Sequence, residues 1–332
     1  MLEGALDVAA IGNAIVDVLA HTDDDLLDRI GVVKGVMTLV DATRSEEIYG
    51  ALPPAVECSG GSAANTAAGI ASLGGRVAFI GKVKNDQLGG VFRHDLTSLG
   101  VHFSTAPAND GPSTARCMVM VTPDAQRTMQ TYLGAAVELS PADIDPAIIA
   151  AAEITYLEGY LWDPPAAKQA MLKAADLAHE AGRKVALSLS DPFCVERHRG
   201  EFLTLIDDHV DILFANEAEI TALYQCDLEA AVRQTRTKVE IAAITRGAHG
   251  SLAVCGDRVT LVDAEKIARL VDTTGAGDLY AAGFLHGLTR GRDLGECARL
   301  GGICAAEVIG HMGPRPETNL ARLVADAVLL QM

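Results

Sequence analysis

Residues 211–224 read DILFANEAEITALY: a mostly apolar run over 211–214, a polar step at Asn216, then apolar residues at helical spacing over 217–224. A run that is apolar at successive positions, not at alternate ones, predicts a strand buried on both faces. The unit recurs along the chain. Further apolar runs lie at 7–11, 77–83, 154–157, 184–189 and 241–245, and Ala-rich helical segments at 62–73, 86–99, 165–181, 276–288, 294–309 and 317–329. Strands alternating with helices imply βαβ units with right-handed crossovers. The expected fold is α/β, a central and mostly parallel sheet flanked by helices in a three-layer, Rossmann-like arrangement.

Two stretches break the rhythm, 14–40 and 114–133. In the second, ARCMVMV and RTMQTYL flank a turn at 122–126, which reads as a β-hairpin. Strands without helices between them, inserted early in such a chain, predict a small β-sheet lid over the ligand crevice. No linker, low-complexity tract or internal repeat of about 20–50 residues divides the sequence. Residues 1–332 are therefore expected to form one domain carrying that lid.

Composition narrows the function. Lys and Arg number 27 against 44 Asp and Glu, a net charge of −17, with no basic run to override it. Nucleic acid and anionic membranes are excluded as partners, leaving small molecules. The seven cysteines are odd in number, scattered, and include no C-x-x-C pair, which suits a reducing cytoplasm. The first residues lack a basic leader, and no uncharged apolar stretch reaches the roughly 18 residues of a membrane span. A cytoplasmic protein is expected.

The strongest chemical signal is 271–284, VDTTGAGDLYAAGF. Gly275, Ala276 and Gly277 open a long small-residue helix, so their amides would converge with the positive end of the helix dipole on an anion. Asp278, in the first turn, is placed to take a proton from a hydroxyl that attacks a phosphoryl group. The alternative is an ordinary glycine turn with an acid near a helix start. A second signal is 59–67, SGGSAANTA, in which Gly60 and Gly61 lead into a helix and Asn65 can bond hydroxyls. Packing alone would also explain a glycine pair. Ala64 removes the serine of a G-x-S-x-G elbow, no G-x-x-x-x-G-K-[ST] loop occurs, and no histidine spacing suits zinc.

Taken together, these stretches resemble the ribokinase (PfkB) family of carbohydrate and nucleoside kinases, from Gly12 to about Glu307. Residues 272–278 match D-T-x-G-A-G-D, Gly60-Gly61 with Asn65 match the glycine-pair motif, 216–219 match N-x-x-E, and 245–250 match T-x-G-x-x-G. The resemblance implies transfer of the ATP γ-phosphoryl group to a primary alcohol. Asp278 would be the base, with Gly275, Ala276 and Gly277 the anion hole. Thr245, Arg246, Gly247 and Gly250 would lie against the nucleotide, and Asn216 with Glu219 would hold Mg2+ through water. A helix cap with its capping-box acid explains Asn216 and Glu219 equally well. Asp272 and Thr274 match the part of the motif implicated in binding a monovalent cation such as K+. Lid strands in the family often pair between subunits, so the chain is expected as a monomer or as a homodimer through the lid.

Asn13 and Asp17, in the string GNAIVD after the first strand, resemble the family's acceptor-binding segment. A carboxylate there takes two donors, as from a ribose 2′,3′ diol. The form G-N-x-x-x-D with S-G-G-S-A-A-N resembles the adenosine kinase branch, which implies adenosine as acceptor and AMP as product. A free sugar such as ribose or fructose, or a silent ligand-binding protein on the same fold, are the competing readings. Arg116 on the hairpin is a candidate for acceptor or phosphate, Glu158 for sugar or for a cap. Phe103, Tyr132, Trp162 and Phe193 are candidates for a purine wall.

Overall fold

The computed structural model describes residues 5–124 and 126–329. In chain order its strands are β1 (Leu6–Ile11), β2 (Ile15–His21), β3 (Met37–Leu39), β4 (Val56–Gly60), β5 (Val77–Ile80), β6 (Ala115–Val121) and β7 (Arg127–Tyr132). They continue as β8 (Ala152–Glu158), β9 (Lys184–Ser188), β10 (Ile212–Asn216), β11 (Ile241–Thr245), β12 (Ser251–Cys255) and β13 (Arg258–Val262). The main sheet has eight strands in the order β13-β12-β11-β10-β9-β8-β1-β5, parallel from β5 to β11. The antiparallel pair β12–β13 closes one edge.

The continuous apolar runs form central strands because helices cover both faces of the sheet. Every residue of β1 is buried. On one face Ile11, Leu157, Leu187 and Leu213 pack with Met171 and Phe202, from the helices Pro165–Glu180 and Pro192–His209. On the other, Phe79, Tyr156 and Phe214 meet Ala67 and Phe284, from the helices Ser62–Ser72 and Ala276–Leu288. Burying each such side chain is worth roughly 1.5–3 kcal/mol. Phe103 belongs to this core and to no ligand wall, its ring 5.7 Å from Phe79 and 5.4 Å from Phe92. Trp162 is also core, lying against Phe202 with its Nε1 donating to Glu201 at 2.7 Å.

The second sheet is the lid, five strands in the order β3-β7-β6-β2-β4. The hairpin β6–β7 forms as its sequence indicates, with Arg116 opposite Tyr132 and Val121 opposite Arg127. The lid exceeds the boundaries 14–40 and 114–133, because β4 at 56–60 is its edge strand and the helix Ala42–Ala51 packs on its outer face. VECSG carries little apolar patterning, since Val56 is exposed at the sheet edge. From sequence no strand is expected there, only the glycine pair that leads into the next helix. The carboxyl ends of β1, β8, β9, β10 and β11 all open toward this lid, at the crevice where parallel α/β sheets hold ligands.

Candidate active site

A cavity of about 1290 Å³ runs between the lid and the strand ends. That exceeds the roughly 300–1,000 Å³ of a single small-molecule site, so two ligands fit side by side. Gly275, Ala276, Gly277 and Asp278 line it together with Asn13, Asp17, Gly61, Asn65, Asn216, Glu219, Thr245, Gly247 and Gly250. The residues of the four sequence motifs thus converge on one space.

At its centre two helix starts meet. Gly275 caps the helix Ala276–Leu288 with φ +78°, and a side chain there would lie 2.8 Å from Pro314. The Ala276 amide donates to Thr273 O at 3.2 Å, so its expected part in the anion hole is shared with the turn. Gly61 caps the helix Ser62–Ser72 with φ +96°, and a Cβ would stand 2.2 Å from Asn13 O. From the first turn of that helix Ser62 Oγ donates to Asp278 Oδ1 at 2.6 Å and Asn65 Nδ2 to Oδ2 at 2.8 Å. The opposite atom of the amide, Asn65 Oδ1, is buried without a partner. The residue lines the same cavity, but that oxygen is closed off from its open space.

Asp17 projects from the middle of the lid sheet, its carboxylate against Gly60, where a Cβ would come 2.3 Å from Oδ2. Burial lifts its pKa to about 6, against the pull of Arg315 and Arg127. Asp278 is likewise raised by burial, opposed by its bonds from Ser62 and Asn65. Glu158 accepts from Asn13 Nδ2 at 2.7 Å and from the Ala63 amide at 2.8 Å. It therefore caps the second helix and fixes Asn13 while lining the cavity, and burial lifts it to about 7.

On the nucleotide side the capping box of Asn216 and Glu219 is complete: Asn216 Oδ1 accepts from the Glu219 amide at 2.8 Å, and Glu219 Oε2 from the Asn216 amide at 2.9 Å. The cap reading and the site reading hold together, because the same pair also faces the cavity. Glu219 is held at about 7 by burial. Arg246 differs from expectation: its side chain turns to Glu217 at 3.5 Å and does not line the cavity, while its neighbours Thr245 and Gly247 do.

Arg116 is corrected as well. It points away from the cavity, onto Ser45 Oγ at 2.7 Å and Glu46, over the ring of Tyr49. Side chains alternate along a strand, so with Cys117 and Val119 on the cavity face, 116 must face the lid's outer helix. The lid arginine that does reach the site is Arg127, which the sequence reading passed over. Its Nη1 donates to both oxygens of Asp272, at 2.6 and 2.7 Å, and to Thr274 Oγ1. The two side chains assigned to a monovalent cation are thus already paired with a guanidinium. Burial pushes Asp272 up, but the bonds from Arg127 and from the Thr274 and Gly313 amides outweigh it and leave the pKa lowered. Of the aromatic candidates only Phe193 lines the cavity, joined by Tyr160; Tyr132 does not.

A carboxylate held at the mouth of a glycine-capped helix, facing a two-ligand cleft under a β lid, is the geometry of a phosphotransferase with an alcohol acceptor. Residues 36–320 match the pfkB family carbohydrate kinase profile, and the chain belongs to that family. Among solved structures it is similar to the adenosine kinase of Sinorhizobium meliloti, 52% identical with a TM-score of 0.90, covering 98% of this chain and 100% of that one. A probable sugar kinase from Rhizobium etli CFN 42 is 48% identical with a TM-score of 0.91 over the same shares. The adenosine kinase of Saccharomyces cerevisiae is 27% identical over 330 residues, 92% of this chain and 96% of that protein.

Kinases of this family use ATP and Mg2+. Glu219 fits the ion as a carboxylate lining the cavity, since Mg2+ keeps several waters and needs only one or two carboxylates beside the phosphates.

Asp278→Asn should keep the fold and lower kcat by about 10²–10⁴-fold, the range of a positioned general base, with nucleotide KM little changed; steady-state kinetics beside a circular-dichroism melt checks this. A second outcome follows from the raised carboxylates. With Asp17 the expected acceptor anchor and Asp278 the expected base, both raised by burial, kcat/KM for the acceptor should fall on the acid side, the Asp17 limb near pH 6, well above the ordinary carboxylate range. A profile that stays flat to about pH 5 would contradict it.

Proposed function

We propose that this enzyme phosphorylates the 5′-hydroxyl of adenosine, giving AMP. The observation that carries the reading is the near-full-length likeness, at 52% identity, to the S. meliloti adenosine kinase. The cleft supports it. Asp17 and Asn13 offer acceptor and donor atoms for a vicinal diol, and Asn65 lines the cavity beside Asp278. Around them the cavity is lined by Met37, Leu39, Val119, Met129, Tyr160 and Phe193, more apolar surface than a free sugar requires and enough to cover a purine.

Asp278 accepts the proton as the alcohol oxygen attacks, while the amides at the start of its helix receive charge from the phosphoryl group. Thr245, Gly247 and Gly250 stand along the nucleotide, with Glu219 toward its magnesium. Arg127 brings a lid guanidinium to the anion-hole loop, where it offsets the carboxylate of Asp272 beside the phosphoryl group. Because Asp272 and Thr274 serve that arginine, potassium has no part in this reading. A cytoplasmic setting is supported by seven free cysteines, and no described helix is long and apolar enough to cross a membrane.

The second reading, phosphorylation of a free sugar, is favoured by the name of the R. etli relative. An ADP-release screen over nucleosides and sugars separates the two: adenosine should be turned over fastest, and activity confined to free sugars would overturn the proposal. Arg127→Ala should lower kcat by about 10²–10³-fold, the cost of removing a charge donor from such a site, with a smaller change in acceptor KM. Stopped-time assays of ADP release at saturating substrates provide the measurement.

A further inference from the structure

Arg315 lies outside every motif, in the loop that follows the helix Leu294–Val308, yet it reaches the junction between lid and main domain. Its Nε and Nη2 donate to Ser59 O at 3.1 and 2.9 Å, Nη2 also to Ser59 Oγ at 2.9 Å, and Nη1 to Ala64 O at 2.6 Å. Ser59 is the penultimate residue of β4, the lid's edge strand, and Ala64 sits in the first turn of the helix that carries Ser62 and Asn65. One guanidinium thus spans the point where the chain leaves the lid and starts the helix that grips Asp278. Ser59 is fixed from the other side, its amide and hydroxyl donating to Asp95 Oδ2 at 2.8 and 2.6 Å. The same loop braces the anion hole, with Gly313 N donating to Asp272 Oδ2 at 2.9 Å and Pro314 packed over Gly275.

The charges around this junction are mostly of one sign. Asp17 in the lid, Asp278 in the helix Ala276–Leu288 and Asp95 in the helix Gln87–Ser98 all act on Arg315 through their charge, while burial raises the pKa of the Cys58 thiol in β4. Glu158 and Glu219 add negative charge felt at or near Asp278, and Arg127 is the other cation acting on Asp17. A planar fork with a permanent charge is the group that both clamps carbonyls and offsets two carboxylates; a flexible ammonium does only the second.

We propose that Arg315 is a positioning residue for phosphoryl transfer, clamping the β4-to-helix junction so that Asn65 and Ser62 hold Asp278 in line, and supplying the positive charge shared by Asp17 and Asp278. The inference rests on the phosphotransfer reading of the cleft and is independent of which alcohol is used. The test therefore takes whichever acceptor the wild type turns over fastest, so a wrong choice of adenosine is seen in the wild type alone. For the wild type, Arg315→Met and Arg315→Lys, kcat and both KM values are measured across about pH 5–9.

Arg315→Met should raise acceptor KM by about tenfold or more, the scale of lost charge-assisted bonds, leave ATP KM within about twofold, and move the acid limb of kcat/KM to higher pH. Arg315→Lys should restore that limb but not the acceptor KM. Equal shifts in both KM values, or an acid limb that is the same in all three proteins, would overturn the inference. Should Arg315→Met fail to fold, Arg315→Lys decides the matter by itself: a wild-type acceptor KM in that variant refutes the clamp.

Discussion

Two helix N-termini converge on the Asp278 carboxylate, and the architecture around the cleft exists to hold that meeting. One helix presents the acid in its own first turn. The other, arriving from the lid, supplies Ser62 and Asn65 to its two oxygens. The helices sit side by side on one face of the main sheet, packed through small residues such that a Cβ at Gly69 would touch Ala282 at 2.6 Å. Close packing of that kind leaves little freedom to either helix, so the orientation of a single carboxylate is set by the core and not by a loop.

Charge is the second constraint. The chain carries a net −17, and Asp17, Glu158, Glu219 and Asp278 all line the one cleft that must also admit a polyphosphate. Long-range attraction cannot bring such a ligand in, since the field of the whole protein opposes it. Binding must come from short-range groups that screening leaves intact, such as the helix-start amides that line the cleft. Burial answers part of the conflict by raising the proton affinity of Asp17, Glu158 and Glu219.

How much of this could be read in advance depended on whether the information was local. Asp278, Gly275 and the Asn216–Glu219 pair were legible because a helix start is written in consecutive residues, and the structure shows them where that writing puts them. The α/β layering was legible for the same reason, from runs such as 211–214. Arg116 and Arg127 show the limit. All seven residues of β6 are buried, one face under the helix Ala42–Ala51 and the other over the cavity. With no polar face to set the phase, the sequence could not say which parity points inward, and a shift of one residue exchanges the two sides of a strand. Arg315 was invisible for a further reason: its partners Ser59 and Ala64 are about 250 positions away, a distance that only the folded chain closes.

The pairing of Arg127 with Asp272 gives the lid a consequence beyond shelter. Excluding water from the cleft protects the phosphoryl group from hydrolysis and strengthens each electrostatic contact inside it. Were the lid only a cover, shielding and charge could vary separately. Here β7 delivers the cation that pairs with Asp272 at the cleft, so moving the lid changes the local charge and the local dielectric in the same step. Arg315 adds the matching tie on the core side, joining the lid's edge strand to the helix beneath it. Any displacement of β4 relative to that helix must disturb Ser59 and hence the guanidinium between them. Lid position, the charge beside Asp272 and the helix that bonds Asp278 are therefore not three independent features, since Arg127 and Arg315 tie the lid to the loop and to that helix.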